Sequence, residues 1–219
     1  MDNPLSWKVD KIKMNPRSIF SSAFRAVARS RLAILTIALT YVISLIVGIV
    51  MVHSGNKFAL DYANNLVAQA NATDPSSIAL QQDERLKAAV LDFGANLLLD
   101  AIPNTVEGMA IVFPYPFVAV RGWVGGIVSV RTDKEHSSRL SDPGEAFYYL
   151  LTLALQLIPY SLAGGTEVNL GLAAFRPRPF YQGSKWLGFP KEAILDVFRI
   201  YLLVVPLFLV ASLWEFLAR

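Results

Sequence analysis

Asp92, Asn96, Asp100 and Asn104 follow one another at i+4, and Glu107 comes three residues later. On a helix that spacing lines one side with polar groups, in a segment otherwise built from Leu91, Phe93, Leu97, Leu98 and Leu99. Lipid satisfies neither carboxylates nor amides, so the stripe must face a bundle interior or a wet cavity. Two chemistries fit it. One is a path for a proton, a cation or a polar solute; the other is interhelical hydrogen bonding, worth about 1 kcal/mol per contact. Arg121 lies in the next apolar run. A charge at that depth costs at least about 2.5–3.5 kcal/mol and needs a partner or water. The expected hairpin register offers Asp92 first and Glu167 second.

The stretch "LIPYSLAGGTEVNLGLAAF" (157–175) places Gly164, Gly165, Thr166, Glu167 and Asn169 within six residues. It closes a run, 146–175, in which Glu167 is the only charge. A straight helix of that length would measure about 45 Å, more than the hydrocarbon core. The expectation is therefore a helix interrupted at Gly164-Gly165, with Glu167 buried and Arg121 or Arg176 as counter-charge. The other reading puts the break at the inner interface, with Glu167 among headgroups. Gly122 and Gly126 form a G-x-x-x-G pair beside Gly125, a spacing that lets two helices approach closely.

No catalytic set accompanies these groups. The chain has no cysteine, and its two histidines, His53 and His136, lie far apart. A Walker A loop, H-E-x-x-H, G-x-S-x-G and a dinucleotide fingerprint are all missing. No enzymatic activity, cofactor or metal is expected. The net charge of +3 sits beside apolar segments and forms no nucleic-acid reader motif. Hydrophobic residues make up 54% and mean hydropathy is +0.43, which points to an integral membrane protein.

The elements that would hold these residues follow from length and charge. Residues 32–52, "LAILTIALTYVISLIVGIVMV", carry no charge and as a helix span about 32 Å. Residues 1–31 hold seven Lys/Arg against Asp2 and Asp10, which places them in the cytoplasm. Asn15-Pro16 suits a helix start, and Phe20, Phe24 and Val27 suit an interfacial helix on the inner leaflet. Residues 54–87 suit the outer side, with Ala59, Ala63, Leu66, Val67 and Ala70 at helical spacing. Residues 88–130 fit two spans joined at Pro103-Asn104, with Pro114 and Pro116 as the other turn. The mixed basic and aromatic stretch 176–191 marks a cytoplasmic interface, and a last span runs from about 193 to 217 with a kink at Pro206. The fold expected is all-α: a basic leader (1–31) and one polytopic domain (32–219) in the plasma membrane, N-terminus inside. It has about five transmembrane helices with a broken element, or four with a re-entrant hairpin.

From about Phe93 onward the order of features resembles the stage II sporulation protein M family of small multi-pass membrane proteins. The shared features are Asn96 before an apolar run, Gly108, "RGWVGG" (121–126), "LIPYSLAGG" after a span, and a final "VASLWEFL" carrying Glu215. The chain departs from the family where Pro159 is followed by Tyr160-Ser161 in place of His-Gly, and where Arg121-Gly122 stands for Asn-Gly. No role of that His or Asn carries over. The resemblance implies a membrane scaffold, similar to a hub that anchors cell-wall-degrading enzymes during engulfment. Two functions are therefore carried forward. One is a scaffold that recruits protein partners, or a second copy of itself, at the lipid bilayer. The other is the membrane subunit of a transporter or exporter with a polar path lined by Asp92, Asn96, Asp100 and Glu167.

Overall fold

Apolar residues run from 32 to 52 with one glycine and no proline, and helix α1 (Pro16–His53) passes through them without interruption. The computed structural model describes residues 16–107, 111–129, 143–176 and 179–218. Asn15, Gly108, His136 and the basic residues Lys8, Lys11 and Lys13 lie outside the described residues. Residues 16–31 do not form the separate interfacial helix expected. Ala23, Ala26, Ser30, Ala33, Ile37 and Tyr41 make one buried face that continues across Arg31, so packing carries the helix inward. Phe20 and Phe24 point away from the bundle and are exposed.

Beyond the His53 end of α1, α2 (Lys57–Thr73) starts on the Asn56 side chain, which accepts from Ala59 N at 3.1 Å. It buries Ala59 and Ala63 against Val52 and Ile127. Helix α3 (Pro75–Gln81) begins at Asp74-Pro75. Asp74 caps it, accepting from Ser77 N at 2.8 Å and Ser76 Oγ at 2.5 Å. Burial alone would raise the Asp74 carboxyl; these hydrogen bonds outweigh it and hold its pKa below the usual value.

Helix α4 (Arg85–Gly94), a π-helical segment (Ala95–Ala101) and α5 (Ile102–Glu107) then form one continuous helical stretch. The expected turn at Pro103-Asn104 is absent. Ile102 N bonds Leu97 O across the wide turn, so the proline falls where the π ladder gives way to the α ladder and its missing amide does little harm. The chain reverses instead between Glu107 and Pro114, the start of α6 (Pro114–Ser129). Helix α6 runs beside α1 in the same direction: Tyr115 Oη lies 2.8 Å from Thr36 Oγ1, Gly122 faces Tyr41, and Gly126 faces Leu45.

Helix α7 (Pro143–Phe175) is unbroken over 33 residues and runs the opposite way. The expected interruption at Gly164-Gly165 is corrected accordingly. Those glycines mark a close approach to α1: a Cβ on Gly165 would sit 2.6 Å from Ile34 N, and one on Gly164 would sit 3.2 Å from Ile37 Cγ2. Packing of that kind outweighs the roughly 1 kcal/mol that a glycine costs a helix. Between α7 and α8 lie a 3₁₀ turn (Pro179–Tyr181) and a two-residue ladder, β1 (Lys185–Trp186) with β2 (Phe189–Pro190). Leu187 and Gly188 close it with φ of 50° and 85°, as a type I′ hairpin turn requires. Helix α8 (Lys191–Leu217) returns antiparallel to α7. Among the described residues the fold is all-α apart from this ladder, and three helices, α1, α7 and α8, are long and apolar enough to cross a membrane.

Candidate functional site

A cavity of about 560 Å³ lies among α1, α4, α6, α7 and α8. Ala70, Leu80 and Arg85 border one end of it; Asp92, Asn96, Arg121, Gln156, Tyr160 and Glu215 line it further in, with Tyr41, Tyr148 and Tyr149. The register of α4 on α8 sets the first carboxylate: Asp92 accepts from Ser212 Oγ at 2.6 Å and from Asn96 Nδ2 at 2.9 Å. Asn96 Oδ1 in turn accepts from Tyr160 Oη at 2.7 Å. Across the cavity, Glu215 accepts from Gln156 Nε2 at 2.6 Å, and Tyr148 donates to the Glu215 carbonyl.

Arg121 forms its ion pair with Asp100, not with the expected Asp92 or Glu167. The misplaced turn explains the difference. A reversal between Glu107 and Pro114 brings residues 100 and 121 level, whereas one at Pro103-Asn104 would have paired Arg121 nearer the start of α4. The guanidinium also lies over the rings of Phe117 and Tyr160, at 5.5 and 5.6 Å from their centroids, a favourable cation–π geometry.

Glu167 is buried, with 2% of its surface exposed, and it does not line this cavity. It accepts from Thr105 Oγ1 at 2.8 Å. Tyr201 Oη contacts the same hydroxyl, and both hydroxyls also lie 2.9 Å from Ala101 O. Neither cation expected beside Glu167 is there: Arg121 is held by Asp100, and Arg176 is exposed at the end of α7. A void of about 10 Å³, lined by Phe117, Tyr160, Gly164 and Glu167 among others, lies between Glu167 and the cavity floor.

Asn169 belongs to a different cluster. Its Nδ2 donates to Tyr181 Oη at 2.8 Å, and Tyr181 Oη donates to Asp196 Oδ2 at 3.0 Å. Arg29 Nε reaches Asp196 at 2.6 Å and Arg199 reaches it at 2.8 Å; Glu192 pairs with both arginines. Burial pushes Tyr181 up to about 12, so it remains a neutral donor to Asp196. This clamp ties α1 to α8 near the start of both helices.

Gly122 and Gly126 sit on the α1 contact, where Gly48 answers them: a Cβ on Gly48 would meet Gly126 Cα at 3.2 Å. Glu107 ends α5, and its side chain and that of Asn104 lie outside the described residues. The polar stripe thus divides, with Asp92 and Asn96 on the cavity, Asp100 behind it on Arg121, and Glu167 beyond the floor. Sequence reasoning passed over Gln156, Tyr160, Asp196 and Glu215 as site residues. Glu215 had a usable signal, since it is an acid inside the apolar end of α8. The tyrosines and the glutamine carry no such mark. The chain matches no family model, no curated protein and no solved structure.

Proposed function

We propose that the chain is a non-enzymatic plasma-membrane protein that forms the membrane subunit of a transport system and admits a polar solute into its bundle. In this reading α1, α7 and α8 cross the bilayer, α4–α5 and α6 are two shorter passes, and the N-terminus is cytoplasmic. The observation that carries it is the 560 Å³ cavity, where charged, amide and hydroxyl groups stand among apolar side chains such as Val124, Leu153 and Phe216. Polar groups in such surroundings persist where water or a solute reaches them. The chain's lack of cysteine makes the test direct. Thr152→Cys, on the cavity wall, should react with membrane-impermeant methanethiosulfonate reagents in lipid nanodiscs, whereas Leu99→Cys on the lipid-facing side should not. A silent Thr152→Cys in folded protein would refute the transport reading.

The scaffold reading draws on the resemblance given above and on one structural feature. Helix α1 continues inward past Arg31 and presents Phe20, Phe24, Arg25 and Arg31 outward. A photocrosslinker at Phe24 should then capture one discrete protein in cells, and a smear no stronger than that from Leu99 would count against it.

A further inference from the structure

The charges inside the bundle are not balanced alike. Each arginine facing inward has an acid: Arg29 and Arg199 share Asp196 and Glu192, and Arg121 has Asp100. Three carboxylates, Asp92, Glu167 and Glu215, take neutral donors only, from Ser212 and Asn96, from Thr105, and from Gln156. None of the three has an ion pair among the described residues. Three acids thus remain without a cation, and wherever they ionise a positive charge beside them is favoured over an anion in a medium that screens poorly.

The cavity also has a floor. Tyr160 packs edge-on against Phe208, with centroids 4.9 Å apart, and lies 6.5 Å from Phe117. Beneath these rings is the 10 Å³ void against Glu167, walled by Ala101, Pro114, Phe117, Ala163 and Gly164. That space is about the volume of a single water, and apart from Glu167 its walls offer water almost nothing to bond. Apolar constrictions of this sort close a path by drying it.

We infer that the cavity is a cation-selective vestibule holding Asp92 and Glu215, closed at its floor by Phe117 and Tyr160, with Glu167 the next acceptor beyond. The inference rests on the transport reading and names its substrate class: a small cationic solute.

The test uses the full chain in nanodiscs and compares two reagents of similar size, a trimethylammonium and a sulfonate methanethiosulfonate. Rates at Thr152→Cys are normalised to Asn64→Cys on the exposed side of α2. The cationic reagent should be favoured about tenfold or more, the scale expected for two nearby carboxylates in a poorly screened site. Asp92→Asn with Glu215→Gln should bring the ratio back to that at Asn64; if the double variant does not fold, Glu215→Gln alone should lower it. A ratio at Thr152 equal to that at Asn64, or one favouring the sulfonate, overturns the cation assignment while leaving the transport reading intact. Silence towards both reagents refutes the transport reading itself. For the floor, Ala163→Cys should be silent and should become reactive when Phe117→Ala is added, with Phe117→Leu as the milder variant. Reactivity of Ala163→Cys without either change, or silence with both, removes Phe117 and Tyr160 as the barrier.

Discussion

The two sides of the bundle are built on opposite terms. Where α6 and α7 meet α1, Gly48, Gly122, Gly126 and Gly165 lie against backbone and Gly164 against the Ile37 side chain, and no space is left for a Cβ at most of these positions. Where α4 and its π segment meet α7 and α8, apolar contacts such as Ala88 and Ala89 on Phe216 flank a cavity bridged by side-chain hydrogen bonds. In lipid, helices gain little from burying apolar surface against each other, so association depends on close packing and on hydrogen bonds. This chain uses one device on each side. The glycine seam holds a fixed arrangement, and the polar side leaves room.

The largest effect should come from breaking the seam. Gly126→Leu drives a side chain into the Leu45 carbonyl and against Gly48 Cα and Ile49 N, and should cost about 3 kcal/mol or more. Thermal unfolding in detergent should show a collapse of the folded fraction, while Gly94→Ala, in open space on α4, should keep or raise the melting point. Cutting the inner clamp comes next. Asp196 is 1% exposed and holds two arginines, so Asp196→Ala should cost about 2–3 kcal/mol, discounted because both arginines are partly solvated and Glu192 remains. A loss equal to that of an exposed acid such as Asp61 would show that the clamp does not join the two sides.

On the outer cover of the polar side, Asp74→Ala should cost about 1 kcal/mol as a lost helix cap. The folded Asp74 carboxyl has a depressed pKa, so its contribution is present above the usual carboxyl pKa and fades as pH falls through the lower folded value. Melting points of wild type and Asp74→Ala should therefore converge in acid; a gap that stays constant would mean Asp74 acts without its charge. The smallest effect is expected at Asp92→Asn, less than about 1 kcal/mol: the amide oxygen still accepts from Ser212. A large loss of stability there would make the polar side structural after all and erase the contrast.

Much of the helical plan was legible, because uncharged runs of membrane length and basic flanks carry their meaning locally. What failed depended on distant neighbours. Gly164-Gly165 reads as a weak point when only α7 is considered, and becomes a contact surface once Ile34 and Ile37 stand against it. Pro103 reads as a turn because an ordinary helix would lose a bond there; nothing local announces a π segment from 95 to 101. That single misplacement also gave Arg121 the wrong partner. Asp92, Asp100 and Glu167 were visible because charge is rare in lipid; Glu215 carried the same mark and was passed over. Tyr160 and Gln156 were not, since both are ordinary in a helix until Asn96 and Glu215 are seen opposite them.

Helix α1 crosses the whole molecule without a hinge: 38 residues contain no proline after Pro16, and both outer and inner elements lean on it. Mechanically it is a lever about 57 Å long. A tilt of about 5° set where Arg29 grips Asp196 would, about a fulcrum near Tyr41, swing the His53 tip about 18 Å away by about 1.6 Å. The glycine seam is the fulcrum, because it binds the rod near its middle to α6 and α7. Force applied at the Pro16 end therefore reaches the His53 end without being absorbed on the way.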